Sequence, residues 1–184
     1  MRGLDPVYAA TSRENLVSYN RGEKAALFKA LFLTIPEFRQ RIRIFSPRTS
    51  LRALIKSYEG RKEEAYPCRG GLDAFFVDSR GGDTYPCGYR GNENMGKFWS
   101  LKIGNINRKG ACRLCDWECF RDPSEMFGPI LHARTSPLGL LKKLLKDPEY
   151  LTVWREDLSY YMACNLFDGR RPPDYGKLAK FGKS

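Results

Sequence analysis

The sequence predicts an α+β fold in which a small β-hairpin domain is flanked by helices on both sides, and three observations predict it. Apolar residues recur at helical spacing before position 60. The stretch from Glu64 to Pro129 changes to glycines, cysteines and short strand-like runs. The last third then returns to helical spacing.

In the first segment, residues 1–62, Ala25, Phe28, Leu31 and Phe32 fall on one helical face. Pro36 is expected to close that run, because a proline inside a helix removes a hydrogen bond. A second helix is expected from Pro47 or Thr49 to Tyr58. Leu51, Leu54 and Ile55 share its face, Ser46 or Thr49 serves as its cap, and Gly60 follows its end. Between the two helices, Arg41-Ile42-Arg43-Ile44-Phe45 alternates like a short strand.

In the middle segment, residues 63–134, Ala74 to Asp78 and Asp83 to Cys87 read as two strands around Arg80-Gly81-Gly82, a turn whose glycines can take positive φ. Pro86 then belongs on an edge or at a bulge. The last segment, residues 135–184, is a helical extension with a flexible tail. Leu138, Leu141 and Leu145, joined by Leu140 and Leu144, form an apolar stripe, while Lys142, Lys143 and Lys146 face water. Pro148 starts a further helix on which Leu151, Trp154, Leu158 and Tyr161 share a face. The Gly-, Pro- and Lys/Arg-rich tail after Asp168 is expected to be poorly ordered.

A chain of 184 residues, 42% of them hydrophobic, can bury a core. Its 32 basic and 21 acidic residues leave a net charge of +11, which suits nucleic acid, an anionic membrane surface or an acidic partner without choosing among them. The N-terminal Met1 to Pro6 lacks the apolar core of a signal peptide, and no long apolar run occurs, so a cytoplasmic location is expected. There thiols stay reduced, and the six cysteines read as metal ligands or buried thiols rather than disulfides.

Cys68, Cys87, Cys112, Cys115 and Cys119 lie within 52 residues, whereas Cys164 stands apart in a helical context and reads as a buried thiol. Cys112 and Cys115 form a C-x-x-C unit, a spacing that lets two sulfurs reach one metal from a single turn of backbone. Cys68 and Cys87 are too far apart for a zinc knuckle, with 18 residues between them. A straight hairpin about Gly81 would pair Cys87 with a residue near position 75 and leave Cys68 roughly 23 Å away. If the two share a centre, the chain must double back, and Arg69-Gly70-Gly71 supplies the residues for that turn.

The spacing Cys68, thirteen residues, Gly82, four residues, Cys87 is similar to the signature that opens the SPASM and Twitch domains of radical S-adenosylmethionine enzymes. Tyr66-Pro67-Cys68-Arg69-Gly70-Gly71, Phe75-Phe76-Val77-Asp78 and Gly82-Asp83-Thr84-Tyr85-Pro86-Cys87 resemble that family's cluster hairpin, and the helices before them resemble the end of its barrel. The resemblance covers about residues 20 to 130. It implies a [4Fe-4S] cluster held by Cys68, Cys87, Cys112 and Cys115, with Cys119 replacing one of the last two as the alternative. Six cysteines rather than seven make a single-cluster Twitch-like arrangement the better match.

The chain contains no C-x-x-x-C-x-x-C triad, which in the family holds the cluster that cleaves S-adenosylmethionine. The resemblance therefore implies an auxiliary module that relays electrons or positions substrate without generating the radical itself. It would be a C-terminal fragment, split-gene product or partner subunit of such an enzyme. S-adenosylmethionine would enter only through a missing or partner domain. The implied partners are a radical-enzyme barrel and a peptide or protein substrate, with no membrane and with nucleic acid disfavoured. The rival reading is a structural zinc site in a basic nucleic-acid-binding or scaffold protein, since cysteine thiolates also suit zinc.

Other residues point elsewhere. His132, the only histidine, sits beside apolar residues and reads as structural. Asp122 before Pro123 reads as a helix cap, with Arg121 contacting a substrate or barrel as the lesser alternative. Trp99, Trp117 and Trp154 read as core or interface anchors. Hydrolase motifs and phosphate-binding glycine loops are absent.

Overall fold

Pro36 lies inside the first helix rather than after it: α1 spans Arg21–Phe38. A proline at this position frees the carbonyl four residues back, that of Phe32. The Arg48 guanidinium takes it up, donating from Nε at 3.0 Å while stacking 4.1 Å from the centre of the Phe32 ring. The structure, a computed structural model, describes residues 19–61, 66–102, 104, 112, 118–168 and 170–182, with the backbone alone at 118–120 and 182. The fold is α+β, with six α-helices and one two-stranded antiparallel hairpin among the described residues. Two compact units are formed, one around Pro67–Ser124 and the other from Arg21–Tyr66 together with Glu125–Ser184.

In the helical unit, α2 spans Arg48–Tyr58 and buries Leu51 and Leu54. Neither Ser46 nor Thr49 caps it. Pro47 occupies the N-cap without a side-chain bond, and the carboxylate of Asp157 accepts from the Thr49 N–H at 2.8 Å and from its hydroxyl at 3.0 Å. The alternating run Arg41 to Phe45 does not become a strand, for no partner edge pairs with it among the described residues. Tyrosine hydroxyls satisfy its backbone instead. Tyr160 Oη accepts from the Ile44 N–H and donates to the Ile42 carbonyl, and Tyr161 Oη donates to that of Phe45.

Helix α3 spans Glu118–Thr135, so it begins before Asp122, which is therefore not its cap. Helix α4 spans Pro137–Lys146 and buries no residue. Its leucine stripe points out, with Leu138, Leu141 and Leu145 all exposed, whereas Lys143 is half-buried, its Nζ 3.8 Å from the centre of the Tyr66 ring. Helix α5 spans Pro148–Ala163 and packs inward through Tyr150, Val153, Asp157, Tyr160 and Tyr161. Of the face predicted for it only Tyr161 is buried; Leu151, Trp154 and Leu158 lie at the margin.

The tail is folded rather than loose. Helix α6, Tyr175–Leu178, is capped by Asp174, and Leu178 packs into a core with Met126, Tyr160, Tyr161, Ala163 and Cys164. No described helix is long and apolar enough to cross a membrane.

In the other unit the hairpin pairs β1, Phe76–Val77, with β2, Thr84–Tyr85, in the register Phe76 to Tyr85 and Val77 to Thr84. It is shorter than the runs predicted. Its turn closes through the Asp78 N–H to the Asp83 carbonyl and the Gly82 N–H to the Asp78 carbonyl, each at 2.8 Å. Gly82 has φ +71°, and a Cβ there would stand 2.5 Å from the exposed Trp99 ring. The positive φ favours glycine at this position, whereas the exposed Trp99 ring could swing aside.

Candidate metal centre

The register of the hairpin, continued past β2, would set Cys87 opposite Ala74, with Cys68 further along the chain. The chain doubles back before that can happen. Gly71, at φ +86°, donates its N–H to the Ala74 carbonyl at 2.7 Å, and the Leu72 N–H reaches the Arg69 carbonyl at 2.9 Å. The predicted turn over Arg69-Gly70-Gly71 is thus the observed one. A Cβ on Gly71 would stand 2.7 Å from that of Pro86. A Cβ on Gly70 would stand 3.0 Å from the Pro86 carbonyl oxygen and 3.5 Å from both Cys68 Sγ and Cys87 Cβ. Gly70 thus lies between the two cysteines, and its lack of a side chain spares a tight contact with the Pro86 carbonyl.

Cys112 joins the same place. The Cys68 N–H donates to the Cys112 carbonyl at 2.8 Å in an isolated antiparallel bridge, which ties the downstream stretch to the hairpin. Cys68 and Cys87 are buried, Cys112 half-buried, and all three are free thiols. The Gly70 N–H points at Cys68 Sγ from 3.4 Å, a contact of the kind that stabilises a sulfur ligand. Ser124 Oγ on α3 accepts from the Arg69 N–H at 2.8 Å, fixing the turn to the start of that helix.

Burial pushes the Cys68 thiol up from its ordinary value. The Gly70 N–H and the buried Arg121 oppose this, while charge on Cys112 and Cys87 would raise it further. Without a metal Cys68 therefore favours its protonated thiol, and binding a cation there would release that proton. Two arginines supply counter-charge. Arg121 acts on Cys68, and Arg90, paired with Glu93, has its pKa raised by that carboxylate and, to a lesser degree, by Cys112 and Cys87. The sequence points to neither arginine for a metal site, because nothing local distinguishes them from the chain's other arginines.

An all-sulfur donor set in a buried, partly cationic setting fits a soft metal or an iron–sulfur centre by its chemistry. Among the described residues no three His, Cys, Asp or Glu side chains are arranged to hold a metal ion. The backbone brings three cysteines together, and their thiols would still have to turn toward one centre. Cys115 lies outside the described residues; Cys119 lies on the first turn of α3, where the backbone alone is described. Cys164 is fully buried in the core of the helical unit. His132 packs edge-on against Tyr66, with ring centres 5.9 Å apart. Compared with family models, with curated proteins and with solved structures, the chain shows no match.

Proposed function

We propose that the chain binds a [4Fe-4S] cluster as a Twitch-like auxiliary module of a radical S-adenosylmethionine enzyme, in the reducing cytoplasm. Cys68, Cys87 and Cys112 would be three ligands, and Cys115 or Cys119 the fourth. The observation that carries the reading is the convergence of Cys68, Cys87 and Cys112 from distant stretches of chain, through the Cys68–Cys112 bridge and across the side-chain-free Gly70. A bound cluster supplies a one-electron couple, or an open iron for substrate. The chain's own residues give the sulfur ligands, the Gly70 N–H as a donor to sulfur, and Arg121 and Arg90 as positive charge beside an anionic centre. Such donors and charges set how readily the centre accepts an electron.

Anaerobic purification, followed by an absorption spectrum and by iron, sulfide and zinc analysis, tests this reading. A brown protein with about four irons and four sulfides per chain is expected. Cys68→Ser, Cys87→Ser or Cys112→Ser should reduce bound iron to background, whereas Cys164→Ala should retain it. A colourless protein with one zinc per chain would replace this reading by the structural zinc site.

A further inference from the structure

The helical unit carries a second concentration of chemistry, far from neutral. Arg52 and Lys56 of α2, Arg61 just beyond it, and Lys142, Lys143 and Lys146 of α4 line a cleft of about 620 Å³. Outside the lining, Glu149 accepts from Arg52 at 2.6 Å and Glu59 pairs with Arg61, so part of the positive charge is already met, and Asp147 is the one carboxylate among the described lining residues. It accepts from Arg52 at 2.6 and 2.8 Å and from Lys56 at 2.5 Å. These contacts hold two largely buried cations at the cleft wall instead of cancelling the whole set.

Lys143 is fixed differently, over the rings of Tyr66 at 3.8 Å and Tyr150 at 5.4 Å. Lys142 and Lys146 are exposed, stand one helical turn apart and make no ion pair among the described residues. Helix α4 itself contains no acidic residue. Like charges at this spacing weaken a helix slightly, and an anion held among the exposed lysines would offset that repulsion.

We infer that this cleft is a binding site for a compact polyphosphate anion, such as the triphosphate of a nucleotide. Two features favour a small ligand over an extended nucleic-acid backbone. The volume falls in the range of small-molecule sites. The cations converge from two elements on one half-open cleft and do not run as a stripe along the surface. Arg52 and Lys56, held by Asp147, would supply fixed positive charge at the wall, and Lys142 and Lys146 would donate to the phosphates from α4.

Calorimetric titration of the full chain with inorganic tripolyphosphate, at moderate and high salt, tests the site. Saturable 1:1 binding that weakens as salt rises is expected. The double variant Lys142→Gln/Lys146→Gln, altered only at exposed positions, should bind at least about tenfold more weakly. Lys180→Gln, outside the cleft, should leave binding unchanged. A circular dichroism melt of each variant separates loss of binding from loss of fold. Absence of saturable binding by a folded wild-type chain would overturn the inference. So would equal binding by the double variant and the wild type, or a single-stranded oligonucleotide binding where tripolyphosphate does not.

Discussion

Arg39 donates to the carboxylate of Asp157 in the interior of the helical unit, where both side chains are almost wholly withdrawn from water. The same carboxylate holds the Thr49 N–H and hydroxyl, so one acid both neutralises a buried guanidinium and caps α2. Asp157→Ala should lower stability by about 3–5 kcal/mol, because it strands a buried cation and uncaps a helix together. The double variant Arg39→Met/Asp157→Leu should recover much of that loss, since an apolar pair carries no desolvation penalty. Thermal melts followed by circular dichroism would check both. A single variant within about 0.5 kcal/mol of wild type would show that the pair does not organise the unit.

The turn at Gly71 makes a sharper demand on the proposed cysteine site. Gly60 and Gly71 both have positive φ, +95° and +86°, but a Cβ at Gly60 would meet nothing within 4 Å whereas one at Gly71 would strike Pro86. Gly60→Ala should therefore cost only the backbone strain, about 1 kcal/mol. Gly71→Ala should cost more and spread the turn that brings Cys68 to Cys87. Iron per chain after anaerobic purification should fall steeply in Gly71→Ala and remain at the wild-type level in Gly60→Ala. Equal iron in the two would separate the turn from ligation.

What the sequence made legible was local. The hairpin turn, the second turn at Arg69 to Gly71 and the extent of α2 follow from residues that lie next to one another, where glycine placement and helical spacing speak directly. What it hid was long-range. The cap of α2 comes from Asp157, 108 positions away from Thr49, and the carbonyl released by Pro36 is satisfied by Arg48 from another helix. On helix α5 the predicted face is offset from the buried one, with only Tyr161 common to both: hydrophobicity ranks Leu151, Trp154 and Leu158 above Tyr150, Asp157 and Tyr160, yet the latter are buried because each hydroxyl or carboxylate finds a partner. The composition of the tail predicts a loose segment, yet Leu178 packs into the core beside Tyr160 and Tyr161. At the cysteine site the convergence of Cys68 with Cys87 could be posed as a demand on the turn. The Cys68–Cys112 bridge, by contrast, required the folded chain.

Asp147 links stability to acid. Burial pushes its carboxyl up, but the hydrogen bonds and charges of Arg52 and Lys56 outweigh that and hold it at about 2, below the ordinary 3.8. A depressed folded-state value means the unfolded chain binds protons first as pH falls. The stability from this carboxylate is complete above about pH 4 and is lost as pH drops through about 2. Discounted for solvent screening, it amounts to about 1 kcal/mol. Asp147→Asn should therefore melt below wild type at neutral pH, and the gap should narrow between pH 4 and pH 2 while the wild type falls more steeply. Comparing the two proteins isolates this group, because every other carboxylate titrates in both. A gap that stays constant down to pH 2 would mean that Asp147 stabilises the fold by shape and not by charge.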